Sequence, residues 1–205
     1  MKHLLRSTML AAAVLLPAAA IAAPPEAVPV QALNAALIAS MKAGSAGESF
    51  QSRAAALAPV VNASYDMAEV EKNSVGFLWS TIPAAQQQRV AAAFEKFTVA
   101  SYVSEFSKYN GETITLLPAE KALGADKIVE TEIVPADGSA PTRLDYVVAN
   151  GPAGWQITDV LLNGTISQVA IHSSDFSSLV TSGNATQLIA ALEKKTATLA
   201  SGAGS

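Results

Sequence analysis

The sequence predicts an α+β domain: helices first, then a curved antiparallel sheet of four strands or slightly more, then further helices. Three observations lead to this prediction. Apolar residues recur at helical spacing up to residue 109, alternate with period two over residues 112–162, and return to helical spacing after residue 165. Strands joined by short connections pair as an antiparallel meander, and helices on both sides in sequence would wrap the sheet.

Two helices are predicted before residue 64. The first covers residues 30–43, where apolar side chains lie three and four residues apart, and Gly44 is expected to end it. The second covers residues 48–63. Pro59 lies inside this second helix and is expected to kink or divide it.

A shorter helical region follows. Asp66 is expected to cap a helix that runs to residue 72, and Glu69 lies at the spacing of a capping box. Residues 74–79 are expected to form a compact apolar turn of helix.

The longest predicted helix covers residues 84–109, with Thr81 as its cap and Pro83 in its first turn. At about 100° per residue its apolar side chains form two nearly opposite faces. These faces consist of Val90, Phe94 and Phe97, and of Val99, Tyr102, Val103 and Phe106. Two faces indicate either burial between two layers or one face that lines a ligand cavity.

The period-two region predicts four strands, over residues 112–117, 127–134, 141–150 and 155–162. Asp137-Gly138 is expected to form a hairpin turn, and Asn163-Gly164 is expected to redirect the chain because both residues tolerate positive φ. Helices over residues 166–181 and 185–199 are expected to close the fold.

The first 22 residues have the pattern of a secretory signal peptide. Lys2, His3 and Arg6 precede a short apolar run, and Ala20-Ile21-Ala22 fits a small-x-small cleavage site. We therefore expect cleavage after Ala22, export of the chain and a single mature domain over residues 23–205. Within that domain, residues 30–199 are expected to be ordered and residues 201–205 to form a flexible tail.

Composition excludes several classes of site. The chain has no cysteine, which excludes disulfides, thiolate zinc ligands and the lipid-modified cysteine of a lipoprotein. Its net charge is −4, from 13 basic and 17 acidic residues, and no basic run is present. Nucleic acid and anionic membrane surfaces are therefore not expected as partners.

No set of residues indicates an enzyme or a metal site, and no cofactor is expected. His172 is the one histidine after the signal peptide, and the adjacent Ser173 cannot face it squarely on a helix. We interpret His172 as a surface or helix-packing residue, and Glu130 and Glu132 as a solvated strand face. Arg143 and Asp145 are expected to face solvent and pair with neighbours; the alternative places Arg143 at a cavity mouth.

Apolar side chains are the remaining candidates for a binding surface. The pattern suits a cavity wall and a filled core equally well. The candidates are Phe77, Leu78, Trp79, Phe94, Phe97, Tyr102, Val103 and Phe106 from the helices, and Val129, Ile133, Leu144, Tyr146, Val148, Ile157 and Val160 from the strands.

Several sequence blocks occur in an order that resembles the MlaC family, also called toluene-tolerance proteins. The blocks are Phe77-Leu78-Trp79, Ser101-Tyr102, Tyr109-Asn110-Gly111-Glu112, Arg143-Leu144-Asp145-Tyr146 and residues 155–176. The most specific part is Gly164-Thr165-Ile166-Ser167 with Ser174-Asp175-Phe176. This part is most similar to the branch named HpnM, which is associated with hopanoid lipids.

The resemblance implies a deep apolar pocket between a curved sheet and helices, and a lipid, phospholipid or hopanoid, bound within it. It also implies a shuttle across the periplasm without covalent chemistry. The implied partners are an inner-membrane ABC transporter with an MCE-domain component and an outer-membrane lipoprotein or porin complex. The alternative from a different class is a ligand-free adaptor subunit of a transport complex.

Overall fold

The computed structural model describes residues 23–202. The predicted signal peptide, residues 1–22, and the last three residues of the predicted tail lie outside the described residues. Six α-helices and five β-strands are present in the described part, in the order four helices, five strands, two helices. The α-helices are α1 Val28–Ser45, α2 Phe50–Ser64, α3 Met67–Val75, α4 Ala84–Glu105, α5 Gln168–Phe176 and α6 Thr186–Ala200.

The strands form one antiparallel sheet, paired in chain order as a meander. They are β1 Thr113–Leu123, β2 Asp126–Val134, β3 Thr142–Gly151, β4 Gly154–Leu162 and β5 Ile166–Ser167. The predicted α+β class and meander are thus confirmed, and β5 adds a short fifth strand. β1 is longer than predicted because the strand continues past Pro118 with a shift of register between Leu116 and Glu120.

The first helices form where predicted, with differences at their ends. Gly44 does not end α1 but lies inside its last turn, and α2 is not divided at Pro59. Asp66 caps α3 as predicted, because its carboxylate accepts a hydrogen bond from the Glu69 backbone N–H at 3.0 Å. The second half of the capping box does not form, since the Asp66 N–H donates to the Ile157 carbonyl instead.

The connection into α4 differs from the prediction. Residues Gly76–Thr81 form a 3-10 helix, and Thr81 does not cap α4. Its hydroxyl instead donates to the Leu78 carbonyl and accepts the Gly183 backbone N–H. Pro83 occupies the capping position, and its carbonyl accepts the first backbone hydrogen bonds of the helix.

α4 ends at Glu105, four residues before the predicted end. The guanidinium of Arg53 on α2 donates to the carbonyl of Val103 at 2.9 Å and so supplies the partner that a further helical turn would provide. The Tyr109 N–H donates to Ser45 Oγ, which holds the following segment against the end of α1. Contacts with helices far away in sequence therefore set this end.

The segment after β4 begins as predicted and then departs from the prediction. Asn163 and Gly164 both have positive φ, 51° and 73°. The chain next pairs with β4 as β5, so α5 starts at Gln168, where the Ser167 hydroxyl accepts the Ala170 N–H. α5 ends at Phe176 rather than at residue 181.

The two sheet faces have different roles. The inner face carries the alternate side chains Val129, Leu144, Tyr146, Val148, Ile157 and Val160, all buried. It packs with buried residues of α1, α2, α4 and α6 in one core. Both predicted apolar faces of α4 are buried, so this helix lies between layers. None of the helices formed by residues 23–202 is long and apolar enough to cross a bilayer.

Candidate functional site

A cavity of about 650 Å³ lies where α3, α4 and α5 meet the inner face of the sheet. α4 contributes side chains that lie three or four residues apart, and the segment after α4 forms one rim of the cavity. The residues that line the cavity are Met41, Tyr65, Met67, Val70, Phe94, Phe97, Thr98, Ser101, Tyr102, Glu105, Phe106, Ser107, Lys108, Asn110, Glu112, Ile133, Thr142, Leu144, Asp159, Val160, Leu162, Gln168, Val169 and His172.

Seven of the fifteen candidate residues from the sequence line this cavity. They are Phe94, Phe97, Tyr102, Phe106, Ile133, Leu144 and Val160. Five others, Val103, Val129, Tyr146, Val148 and Ile157, are buried in the core instead. Leu78 and Trp79 pack against that core. Phe77 lies on the surface with 88% of its area exposed, so the expected compact apolar turn is wrong at this residue.

The candidates from the sequence are all apolar or aromatic, and they omit several polar residues that line the cavity. Thr98, Ser101 and Glu105 follow Phe94 at helical spacing and line the same cavity. That spacing is a signal that the sequence contains. The lining residues on α3 and α5 have no comparable signal, because their position depends on how those helices pack.

One end of the cavity, beside Phe94 and Phe97, is aromatic. The His172 ring stacks on Phe176 with centroids 5.3 Å apart, and its edge-on contacts are with Phe94 at 5.5 Å and Phe97 at 5.8 Å. Burial lowers the pKa of His172, so its neutral form is favoured. None of the hydrogen bonds among the described residues involves its ring. The geometry agrees with the helix-packing interpretation of His172.

α5 is anchored to the sheet through Asp159 at a bulge of β4. The Asp159 carboxylate accepts hydrogen bonds from the Ser167 hydroxyl and from the backbone N–H of Val169. A carboxylate at a helix N-terminus also interacts favourably with the helix dipole. These bonds place the N-terminal part of α5 over the cavity.

The middle of the cavity contains two buried phenols. The hydroxyls of Tyr65 and Tyr102 are hydrogen-bonded to each other, and their rings are tilted with centroids 6.4 Å apart. Burial is the main cause that raises the pKa of both phenols, which keeps them neutral. The cavity therefore has neutral polar groups between its aromatic end and its rim.

The rim of the cavity is charged. Glu105, Lys108, Asn110 and Thr142 are its exposed lining residues. Glu112 accepts hydrogen bonds from the backbone and side chain of Asn110, and these bonds lower its pKa. Burial raises the pKa of Glu105, although part of that side chain is exposed, and its charge also acts on both phenols.

The outer face of the sheet corrects two expectations and confirms a third. Asp145, expected in solvent, is 2% exposed, and Glu130, expected on a solvated face, is 6% exposed. Arg143 pairs with its neighbours as predicted, because it donates to both carboxylates, at 2.7 Å to Asp145 and 2.6 Å to Glu130. The alternative position at the cavity mouth is wrong, since Arg143 does not line the cavity. The Gly164 turn covers Asp145, which also accepts the Thr131 backbone N–H at 3.1 Å. No cluster of three potential metal ligands occurs within residues 23–202.

The chain is similar to known proteins both in sequence and in fold. The family model described as "MlaC protein" matches residues 31–194. Among solved structures, the chain is similar to a phospholipid-binding protein from Ralstonia solanacearum in complex with a phospholipid, with 20% identity and a TM-score of 0.73. That match covers 86% of this chain and 99% of the other. No curated protein sequence matches.

Proposed function

Because the chain belongs to the MlaC family, we propose that it is a soluble periplasmic carrier that binds a membrane lipid in the cavity. The observation that carries the proposal is a cavity of about 650 Å³ with one aromatic end and a charged rim. Exposure of an acyl chain to water costs about 0.8 kcal/mol per CH₂, so a carrier must cover the chain during transfer. An aromatic wall would cover it, and the rim would leave the headgroup near water.

Phospholipid is the first cargo to test. The similar protein from Ralstonia solanacearum is described as phospholipid-binding, and it shares the fold. A hopanoid is the second cargo, because the segment over residues 155–176 resembles the hopanoid-associated HpnM branch. A rigid pentacyclic lipid needs a broader cavity than flexible acyl chains do.

The proposed route runs between the two membranes. The predicted signal peptide over residues 1–22 would deliver the chain to the periplasm. There it would exchange lipid with an inner-membrane ABC transporter that has an MCE-domain component, and with an outer-membrane lipoprotein or porin complex. The carrier would bind and release the lipid without a covalent step.

Native mass spectrometry of the mature protein, purified from its own periplasm, tests this proposal. We expect about one lipid per chain, with its class identified after extraction. A protein that is isolated without lipid, and that also takes none from phospholipid or hopanoid vesicles, would contradict lipid binding. That result would favour the ligand-free adaptor subunit instead.

A further inference from the structure

The polar groups of the cavity follow a fixed order along α4. Phe94 and Phe97 lie at the aromatic end, Tyr102 follows, and Glu105 lies at the rim. At 1.5 Å rise per residue, Tyr102 is about 12 Å along the helix from Phe94 and about 5 Å from Glu105. Along the axis of α4, the phenol of Tyr102 therefore lies between the rim and the aromatic end.

The phenol pair has one more donor than it uses. Tyr65 is 5% exposed and Tyr102 is 9% exposed, and both line the cavity. Each phenol has one O–H, and the bond between them uses only one of the two. Neither hydroxyl has another hydrogen bond among the described residues. Whichever phenol donates to the other, one buried O–H remains for an acceptor inside the cavity.

The backbone holds Tyr65 in place. Its carbonyl accepts a hydrogen bond from the Gln156 side chain at 2.9 Å, and the N–H of the next residue, Asp66, donates to the Ile157 carbonyl at 3.0 Å. Tyr102 is fixed on α4, where its ring packs against Phe106 at a centroid distance of 6.0 Å. The unused donor is thus presented from two anchored elements, and a buried donor without an acceptor is unfavourable.

We propose that the Tyr65–Tyr102 pair donates a hydrogen bond to an ester carbonyl of the bound lipid and thereby selects ester-linked acyl lipids. This inference rests on the proposed lipid-binding function. In such a lipid the ester groups lie between the headgroup and the acyl chains. That order matches the charged rim, the phenol pair and the aromatic end. A lipid with only hydrocarbon at this depth leaves the O–H without an acceptor.

A competition between ester and ether lipids tests the selection. The mature protein, stripped of lipid, is incubated with vesicles of equal parts dipalmitoyl phosphatidylcholine and its dihexadecyl ether analogue, and bound lipid is quantified by mass spectrometry. The ether analogue has the same headgroup and chain length but no carbonyl. We expect about two- to tenfold enrichment of the ester lipid, the range that corresponds to one net hydrogen bond.

The double variant Tyr65→Phe/Tyr102→Phe is expected to bind both lipids equally. Removal of both partners of a hydrogen bond by isosteric apolar groups is nearly neutral for stability, and thermal unfolding checks this. Tyr146→Phe is the matched control, because it removes a buried phenol bonded to Asn34 in the core, outside the cavity. This control should keep the ester preference.

The outcomes separate the inference from the function on which it rests. Equal loading of both lipids by the unmodified protein overturns the phenol proposal but leaves lipid binding intact, and this comparison needs no variant to fold. A preference that survives in the folded double variant also overturns it. Failure to load either lipid contradicts lipid binding itself.

Discussion

Glu71 and Glu130 are both buried glutamates, and their surroundings shift their pKa values in opposite directions. Burial, and then the charge of Glu95, raise the pKa of Glu71 from 4.5 to about 7. Hydrogen bonds from Lys121 and Arg143 lower the pKa of Glu130. The neutral form of Glu71 and the charged form of Glu130 are therefore favoured in the folded protein, so pH affects their contributions to stability in opposite senses.

Glu71→Gln is expected to stabilise the protein above pH 7. In the unfolded chain Glu71 ionises near pH 4.5, whereas in the folded protein it ionises near pH 7, so its cost to stability develops as pH rises between these values. We expect a gain of about 1–2 kcal/mol at pH 8, after allowance for solvent screening, and almost none at pH 4. Denaturant unfolding at both pH values measures it.

The control for this prediction is Glu69→Gln on the same helix, where the carboxylate pairs with Lys72 at the surface. It should produce no gain at pH 8. An equal response of the two variants would contradict the assignment of the raised pKa to Glu71.

Arg143→Met is expected to destabilise the protein by about 2–4 kcal/mol at pH 7, because it leaves Asp145 buried without its cation and leaves Glu130 paired only with Lys121. The part of this loss that comes from Glu130 should shrink below pH 4.5, where the carboxylate protonates in the unfolded chain and then in the folded one.

The control is Lys72→Met, which removes an exposed ion pair. We expect it to lose less than about 1 kcal/mol of stability, and denaturant unfolding of both variants measures the difference. Similar losses in the two variants would be inconsistent with a buried cluster.

The ends of the secondary-structure elements depend on neighbours that are distant in sequence. α1 continues through Gly44, where a Cβ atom would overlap the Ser107 backbone carbonyl. The glycine is thus required for a close approach between α1 and the segment after α4, and not for a helix end. The same approach, together with Arg53, ends α4 at Glu105.

Gly44→Ala is expected to lower stability by about 1–3 kcal/mol, although alanine is the better helix former. The added methyl must displace either α1 or the Ser107 backbone. Thermal unfolding of this variant is compared with that of the control Gly151→Ala. At Gly151 an added Cβ meets nothing within 4 Å, and φ is not positive. A neutral or stabilising effect of Gly44→Ala would contradict this prediction, because it would show that the Ser107 backbone moves aside at little cost in free energy.

At the scale of the whole molecule, the cavity exists because α3 and α5 pack against each other, and both contact β4. Residues from both predicted apolar faces of α4, such as Phe94 and Tyr102, line the cavity, while Val103 packs in the core. The cavity wall is therefore shared by elements from both ends of the chain.

Ser101→Trp is expected to reduce lipid loading at least tenfold, because the indole would occupy cavity volume beside Tyr102. Ser104→Trp is the matched control on the same helix, since Ser104 is also half-buried but does not line the cavity. Phospholipid uptake from vesicles, measured with thermal unfolding of each variant, tests the difference. Equal loading by both variants would contradict the assignment of the cavity as the lipid site.

Local patterns in the sequence determined the order and type of the main elements. Period two predicted the first four strands, and the Asn163-Gly164 pair predicted the turn with positive φ that is present. The two apolar faces of α4 also followed from its spacing, since side-chain direction repeats with the helix itself. These features depend on residues within a few positions of one another.

The division of apolar residues between cavity wall and core depends on the tertiary structure. Tyr102 and Val103 are neighbours with similar patterns, yet one lines the cavity and the other packs in the core. The burial of Asp145 beneath the Gly164 turn and the addition of β5 were likewise absent from the local pattern. Periodicity predicts the direction of a side chain. The distance from that side chain to the opposing layer depends on elements that come together only when the chain folds.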